Sequence, residues 1–274
     1  MAWVRRELDS LGIPPLKRFG QHFLIDKSVR ERLVQLADLT TNDTVLEVGP
    51  GLGFLTAALI GRAGRTIAIE KDRTLATYLK EKFSKQQNLT VVQADALTVQ
   101  IPEGSKVVSS PPYNISSKLI LLIINSRFRL AALLMQEEFV RRLTASSGSR
   151  DYGRISVMLQ SRATAKFDLK VPREAFYPKP RVDSALVTIK PSIEKIHTEN
   201  QELFIDMVRA LFTQRRRKLR GVLARYLKAR YPTLSDRIIR QITLIDKRIY
   251  ELNPNELVVL SNQIAEASTE SGSE

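Results

Sequence analysis

From residue 44 onward, short apolar runs of strand type alternate with stretches whose apolar residues recur at helical spacing. Strands are expected at 44–48, 66–70, 89–93, 106–109 and 130–135, with helices near 54–61, 73–84 and 115–125 between them. That βαβ rhythm predicts a mostly parallel, doubly wound sheet with helices on its faces. Helices near 136–144 and 153–163 come next. Two more strand-like runs, 166–171 and 184–190, leave no room for a helix between them and should pair antiparallel at the sheet edge. Upstream, Asp26 is placed to cap a helix whose apolar face is Val29, Leu33, Leu36 and Ala37.

The rhythm stops at Lys190-Pro191-Ser192. From about Asn200 only helical spacing remains, with Phe204, Met207, Val208 and Leu211 on one face. The expected organisation is an irregular basic arm over 1–27, a catalytic α/β domain over 28–192, a small all-helical domain over 198–266 and a disordered tail over 267–274.

Composition narrows the function. A net charge of +14 and a pI near 10.1 favour a phosphate-rich partner, since basic side chains release condensed counterions from nucleic acid. The chain has no cysteine and two histidines, which excludes thiolate nucleophiles, disulfides, Cys-ligated zinc and zinc-deaminase signatures. The longest apolar run, Leu119–Ile124, is too short to span a bilayer, and no secretory leader is legible after Met1. The expectation is a cytoplasmic protein with no metal centre and no membrane association.

Glycines at 49, 51 and 53 follow the first strand of the alternation and precede a helix. There they allow a tight turn and close approach of backbone N–H groups to a ligand. A dinucleotide fingerprint would need a further glycine at 54, which is Phe54, so a dehydrogenase is disfavoured. Glu47 sets a carboxylate beside the turn, suited to the ammonium of S-adenosylmethionine. Glu70, ending the next strand, can accept both ribose hydroxyls, and Asp95, after the third, can accept from an adenine amino group. Each acid alone would read as a solvated strand end. Three at successive carboxyl ends of one sheet read as a cofactor site.

Ser110-Pro111-Pro112-Tyr113-Asn114 follows the fourth strand and has the form found in enzymes that methylate exocyclic amines of bases. Adenine N6 is a poor nucleophile because its lone pair is delocalised. Acceptors for its two hydrogens favour a pyramidal nitrogen and stabilise the charge that develops on it. Ser110 Oγ and the Pro111 carbonyl are the candidates, Tyr113 can stack on an extruded base, and Phe176 can form the other half of a sandwich. A hydrophobic plug over the sheet is the plain alternative for Phe176. Candidate phosphate contacts are Arg5, Arg6, Lys17 and Arg18 near the N-terminus and Arg215, Arg216, Arg217, Lys218 and Arg220 in the helical region. For each of these a solvated surface charge is the plain alternative.

Five ordered stretches resemble the small-subunit rRNA adenine dimethyltransferases, the KsgA family. They are Lys17–Leu24, Leu46–Gly53, Pro112–Ser116, Asp151-Tyr152-Gly153-Arg154 and Phe176–Pro180. The resemblance implies a Rossmann-like class I S-adenosylmethionine-dependent methyltransferase sheet with an antiparallel edge hairpin. It implies N6,N6-dimethylation of two adjacent adenosines near the 3′ end of small-subunit rRNA within a pre-ribosomal particle. Nothing in the sequence sets an oligomeric state, and a monomer is the default expectation. It also implies that Gln21, His22, Leu24, Gly49, Glu70, Asp95 and Ala96 line the cofactor. Two positions depart from the family: Ser110-Pro111 stands where Asn-Leu is usual, and His22 where bacterial members commonly have Asn. The chain is closer in character to archaeal members. Alternatives are a resistance-type methyltransferase of large-subunit rRNA and a non-catalytic ribosome-assembly or transcription factor on the same fold.

Overall fold

The computed structural model describes residues 2–12, 22–192, 197–232 and 235–270. By internal contacts the chain divides into two units, residues 1–140 with 164–191, and residues 141–163 with 192–274.

The first unit is built on a seven-stranded sheet. In chain order its elements are α1 (Ala2–Ser10), β1 (Phe23–Leu24), α2 (Lys27–Leu36), β2 (Thr44–Val48), α3 (Phe54–Ile60), β3 (Arg65–Glu70), α4 (Arg73–Lys82), β4 (Leu89–Gln93), β5 (Lys106–Ser109), α5 (Ser116–Ile124), β6 (Leu130–Gln136), α6 (Glu137–Thr144, in which the division falls), then, after α7 (Arg154–Gln160) of the second unit, β7 (Ala163–Val171), β8 (Phe176–Tyr177) and β9 (Ser184–Pro191). The strand order is β4-β3-β2-β5-β6-β9-β7. The first five of these run parallel, and β9 joins β6 antiparallel from Ala131↔Ile189 to Gln136↔Ser184. β5 and β6 are buried on both faces apart from Gln136, which is why β6 reads as an unbroken apolar run rather than an alternating one.

The order turns outward in opposite directions from β2 and β5. A ligand crevice is expected outside the carboxyl ends of strands at such a reversal. At the opposite end of the same two strands, Lys106 Nζ lies 3.0 Å from Asp43 Oδ2, both side chains almost fully buried. Asp26 caps α2 as expected, its Oδ1 accepting from Ser28 N–H at 2.8 Å.

The second unit is helical: α7, α8 (Gln201–Phe212), α9 (Leu219–Arg230), α10 (Ser235–Gln241) and α11 (Pro254–Glu270). Phe204, Met207, Val208 and Leu211 are the buried face of α8. Tyr152 is its anchor. That side chain is fully buried, its hydroxyl donates to Leu252 O at 2.9 Å, and its ring meets Phe212 edge-on at 5.9 Å. The Asp151–Arg154 stretch is thus a packing motif of the helical unit.

Four sequence expectations need correction. Residues 2–10 are helical rather than irregular, because Val4 and Leu8 share one face and pack with Phe23, Leu52 and Leu75. The helix expected over 153–163 stops at Gln160, since Ala163 already begins β7. Residues 141–163 pack with the helical unit rather than with the 28–192 sheet domain. The tail expected to fray from 267 continues α11 to Glu270, where Ile264 and Ala267 extend the apolar face, and 271–274 lie outside the described residues. Among the described residues no helix is long and apolar enough to cross a membrane.

Candidate active site at the sheet's carboxyl edge

The turn after β2 is made by three left-handed glycines, with φ of +69° at Gly49, +58° at Gly51 and +78° at Gly53. Gly49 and Gly51 need both that freedom and the missing side chain. A Cβ at Gly49 would lie 3.0 Å from the Pro112 ring, and one at Gly51 2.9 Å from the Phe23 ring. The turn is therefore pressed between the Pro-Pro segment after β5 and the short strand β1. Lys82 fixes its outer side, donating to Leu52 O at 2.9 Å.

Two cavities with shared wall residues flank this turn. One is walled by His22, Phe23, Leu24, Glu47, Gly51, Phe54, Glu70, Ser110, Pro111 and Tyr113. The other, about 330 Å³, is walled by Val48, Ile69, Glu70, Lys71, Asp95, Ala96, Pro112, Asn114 and Ile115. Gly49, Glu70 and Pro112 belong to both. Apolar walls with a few convergent polar groups are the usual character of a cofactor site.

The three acids sit in different environments. Glu47 is 1% exposed, and burial pushes its carboxyl up to about 8; the Thr56 hydroxyl, donating to Oε2 at 2.7 Å, opposes the shift and neighbouring Glu70 adds to it. Burial also raises Glu70, against the bonds its oxygens accept from Asp72 N–H at 2.9 Å and Gly51 N–H at 3.2 Å. Glu70 so ties the end of β3 to the glycine turn. Asp95 is lowered, first by the N–H of Leu97, 3.0 Å from Oδ1, and next by Lys71, 2.9 Å from Oδ2. It stays ionised at the open rim.

Ser109 sits at the end of β5 with its hydroxyl donating to Val48 O, so the two strands that flank the crevice are joined just below the turn. Ser110, Pro111 and Pro112 follow with Tyr113 in a short 3₁₀ turn, Tyr113–Ile115. Ser110 is half-buried, and its hydroxyl has no hydrogen-bond partner among the described residues. The Tyr113 hydroxyl is 2.7 Å from Ser184 Oγ, and burial pushes that phenol up to about 12. The His22 ring lies 5.6 Å from that of Tyr113, tilted by 31°, and His22 Nδ1 donates to Pro178 O at 2.7 Å.

The structure thus assembles His22, Leu24, Glu47, Gly49, Gly51, Glu70, Asp95, Ala96, Ser110, Pro111 and Tyr113 on one pair of cavities. Gln21 lies outside the described residues, as do Lys17 and Arg18. Phe176 corrects the sandwich expectation: it is 2% exposed and packs in the core with Leu24, Val29 and Leu186, since Phe176 pairs with Leu24 in the β1–β8 ladder. Arg215 also departs from expectation. Its guanidinium is spent on the carbonyls of Tyr152 and, at 2.7 Å, Arg150, so it holds the helical unit together. Arg216, Arg217, Lys218 and Arg220 are exposed, with Lys218 3.7 Å from Asp246, and Arg5 and Arg6 are exposed on α1. Sequence reasoning missed Thr56 and Ser184 as partners of Glu47 and Tyr113. The Tyr113 pair has no local signal because its members are 71 residues apart, and Thr56, nine residues after Glu47, reads from the sequence only as a residue of the following helix.

Residues 16–261 match the family model described as ribosomal RNA adenine dimethylase. The chain is 38% identical over 249 residues to a probable ribosomal RNA small subunit methyltransferase A of Methanosarcina acetivorans, covering 90% of this chain and 92% of the relative. It is 38% identical over 262 residues to the protein of the same description from Pyrococcus abyssi, covering 94% and 95%. Among solved structures, a dimethyladenosine transferase from Plasmodium falciparum superposes with a TM-score of 0.79 at 25% identity, over 90% of this chain and 98% of that one. The 23S rRNA methyltransferase ErmE superposes at 0.67 with 30% identity, over 89% and 99%.

Proposed function

The chain belongs to the ribosomal RNA adenine dimethylase family, and on that footing we propose that it dimethylates N6 of two adjacent adenosines near the 3′ end of small-subunit rRNA. The observation that carries the reading is the Ser110-Pro111-Pro112-Tyr113 turn, which shares its cavity with Glu47, Glu70 and the glycine turn.

These residues fit S-adenosylmethionine. The Gly49 and Gly51 cradle has no room for a Cβ, Glu47 offers a carboxylate for an ammonium, Glu70 offers acceptors for ribose hydroxyls, and Asp95 stands at the rim beside Ala96 for an adenine amino group. His22 and Leu24 would close the other side. When bound, this cofactor supplies an electrophilic methyl group on a sulfonium. The chain's own work lies on the nucleophile. Ser110 Oγ and the Pro111 carbonyl accept the two N6 hydrogens in the first transfer and the single remaining one in the second, drawing the lone pair out of the ring and stabilising positive charge on the nitrogen, which then releases one proton to solvent after each transfer. Two prolines fix φ at the turn, so the carbonyl points the same way before and after reaction. Tyr113 packs on the extruded base, offsetting the unstacking cost of about a few kcal/mol. No side chain has to remove a proton before the bond forms, so in-line placement does the rest.

Phosphate contacts would come from Arg5, Arg6, Lys17, Arg18, Arg216, Arg217, Lys218 and Arg220, with specificity supplied by RNA shape within a pre-ribosomal small subunit. We place the enzyme in the cytoplasm as a monomer. The test is transfer of tritiated methyl from S-adenosylmethionine to small subunits lacking the modification, with large subunits as control and products resolved as nucleosides. Dimethyladenosine from small subunits is expected. Counts confined to large subunits would overturn the substrate assignment, and tight small-subunit binding with no counts would make the protein an assembly factor instead.

A further inference from the structure

We propose that Ser184 and the Pro178 carbonyl are positioning groups for methyl transfer, fixing Tyr113 and His22 as one packed wall on which the target adenosine is presented. The inference rests on the reading above that Tyr113 packs on that base.

Ser184 is fully buried, and its Oγ is 2.7 Å from the Tyr113 hydroxyl. It is the first residue of β9 and is held in register opposite Gln136 of β6. The sheet itself therefore sets where the phenol can lie. Tyr113 sits on a short 3₁₀ turn, where its backbone alone would leave the ring free to swing. A tether at the far end of the ring removes that freedom. Six residues earlier in the same segment, Pro178 O accepts from His22 Nδ1 at 2.7 Å. A carbonyl can only accept, so Nδ1 carries the proton and the ring is held in one orientation. The β1–β8 pairs Phe23↔Tyr177 and Leu24↔Phe176 fix this second anchor.

The two rings are 5.6 Å apart, within the range of directly packed rings, so no base enters between them. Phe176 lies in the core and does not supply a second face. The aromatic-proline loop thus acts through the rings it grips. This explains why it carries prolines at 178 and 180, whose fixed φ keeps the two anchors at a constant separation. Ser184 is not among the residues that wall the cofactor cavities, so its loss should leave cofactor binding alone.

The test combines methyl transfer to small subunits with calorimetric binding of S-adenosylhomocysteine. For Ser184→Ala, kcat should fall about tenfold, the kinetic equivalent of one net hydrogen bond, while the Kd stays within about twofold of wild type. Tyr113→Phe removes the same bond from the other side and leaves Ser184 in place, so it should fall comparably. The double variant should be no worse than Tyr113→Phe alone, and Ser184→Thr should recover activity. An unchanged kcat for Ser184→Ala, or losses that multiply in the double variant, would overturn the proposal. So would a Ser184→Ala protein whose only defect is a lower Tm. If wild type itself makes no dimethyladenosine, the functional reading fails rather than this one, and the binding arm still reports whether the cofactor site is intact.

Discussion

Glu47→Gln tests the electrostatics of the cofactor cavity directly. The carboxyl ordinarily titrates at 4.5 and is pushed up to about 8 by burial, so the folded protein holds a proton there that the unfolded chain has released. Stability changes with pH in proportion to protons bound by the unfolded state minus those bound by the native state. Between 4.5 and about 8 that difference is negative for this group, so ionisable Glu47 costs stability progressively as pH rises through the window. At about 1.36 kcal/mol per tenfold, the cost is about 1 kcal/mol at pH 5, about 3 kcal/mol at pH 7 and about 5 kcal/mol above pH 8. Glutamine keeps an acceptor for the Thr56 hydroxyl and cannot ionise. Urea unfolding of both proteins without ligand at pH 5, 6, 7 and 8 should therefore show the variant gaining on wild type by about 2 kcal/mol between pH 5 and 7. Binding runs the other way. An ammonium beside Glu47 must displace the proton, so wild-type affinity for S-adenosylhomocysteine should tighten as pH rises toward 8, while the variant's stays flat and weak. Parallel stability profiles for the two proteins would refute a buried, raised carboxyl at this position.

Three further substitutions probe separate parts of the site and its support. Ser110→Ala removes one acceptor for the target amine and should lower kcat about a hundredfold, measured by methyl transfer at saturating S-adenosylmethionine. Gly51→Ala places a Cβ 2.9 Å from the Phe23 ring at a φ of +58°, costing about 1–3 kcal/mol in urea unfolding and weakening cofactor binding; wild-type affinity would show that the turn is not where the ligand lies. Lys106→Met leaves Asp43 buried with Arg129 as its remaining cation at 3.2 Å, so unfolding should become easier by about 3 kcal/mol, and a neutral outcome would mean that Arg129 alone satisfies the carboxylate.

The sheet and its crevice were legible because parallel strands declare themselves locally. Val45-Leu46, Ile67–Ile69 and Val107-Val108 are short apolar runs, and each is followed within three residues by what chemistry marks: Glu47 with the glycine turn, Glu70, Ser110. The position of those ends on one edge follows from the crossovers, since a helix between two strands returns the chain to the edge it started from and leaves the strands parallel. What the sequence hid are relations across long intervals. Nothing near Tyr152 announces that its ring will be the buried centre of a helical unit drawn from two separate stretches, or that Arg215 will be consumed on its carbonyl. A run of arginines looks the same whether its members face solvent or a neighbour's backbone. Phe176 was misplaced for a related reason: an aromatic beside prolines suits a stacking loop and a core plug equally, and only its pairing with Leu24 decides between them.

The departure at position 110 gains a physical account from the same long-range contacts. An asparagine there would offer the target amine an acceptor on a longer arm, so its replacement by serine makes the outcome depend on how closely the base approaches. In this chain the approach is set by rigid parts. Pro111 and Pro112 fix the turn, Ser109 joins it to Val48, and Tyr113 is tethered to the first residue of β9. A short acceptor suffices when the base is delivered to one place, and it fails when the base can drift. Ser110→Asn should therefore be tolerated in wild type and should restore activity preferentially in Ser184→Ala, where the longer arm compensates for a looser wall. If methyl transfer shows Ser110→Asn equally silent, or equally harmful, in both backgrounds, the reach of the acceptor and the rigidity of the wall are unconnected.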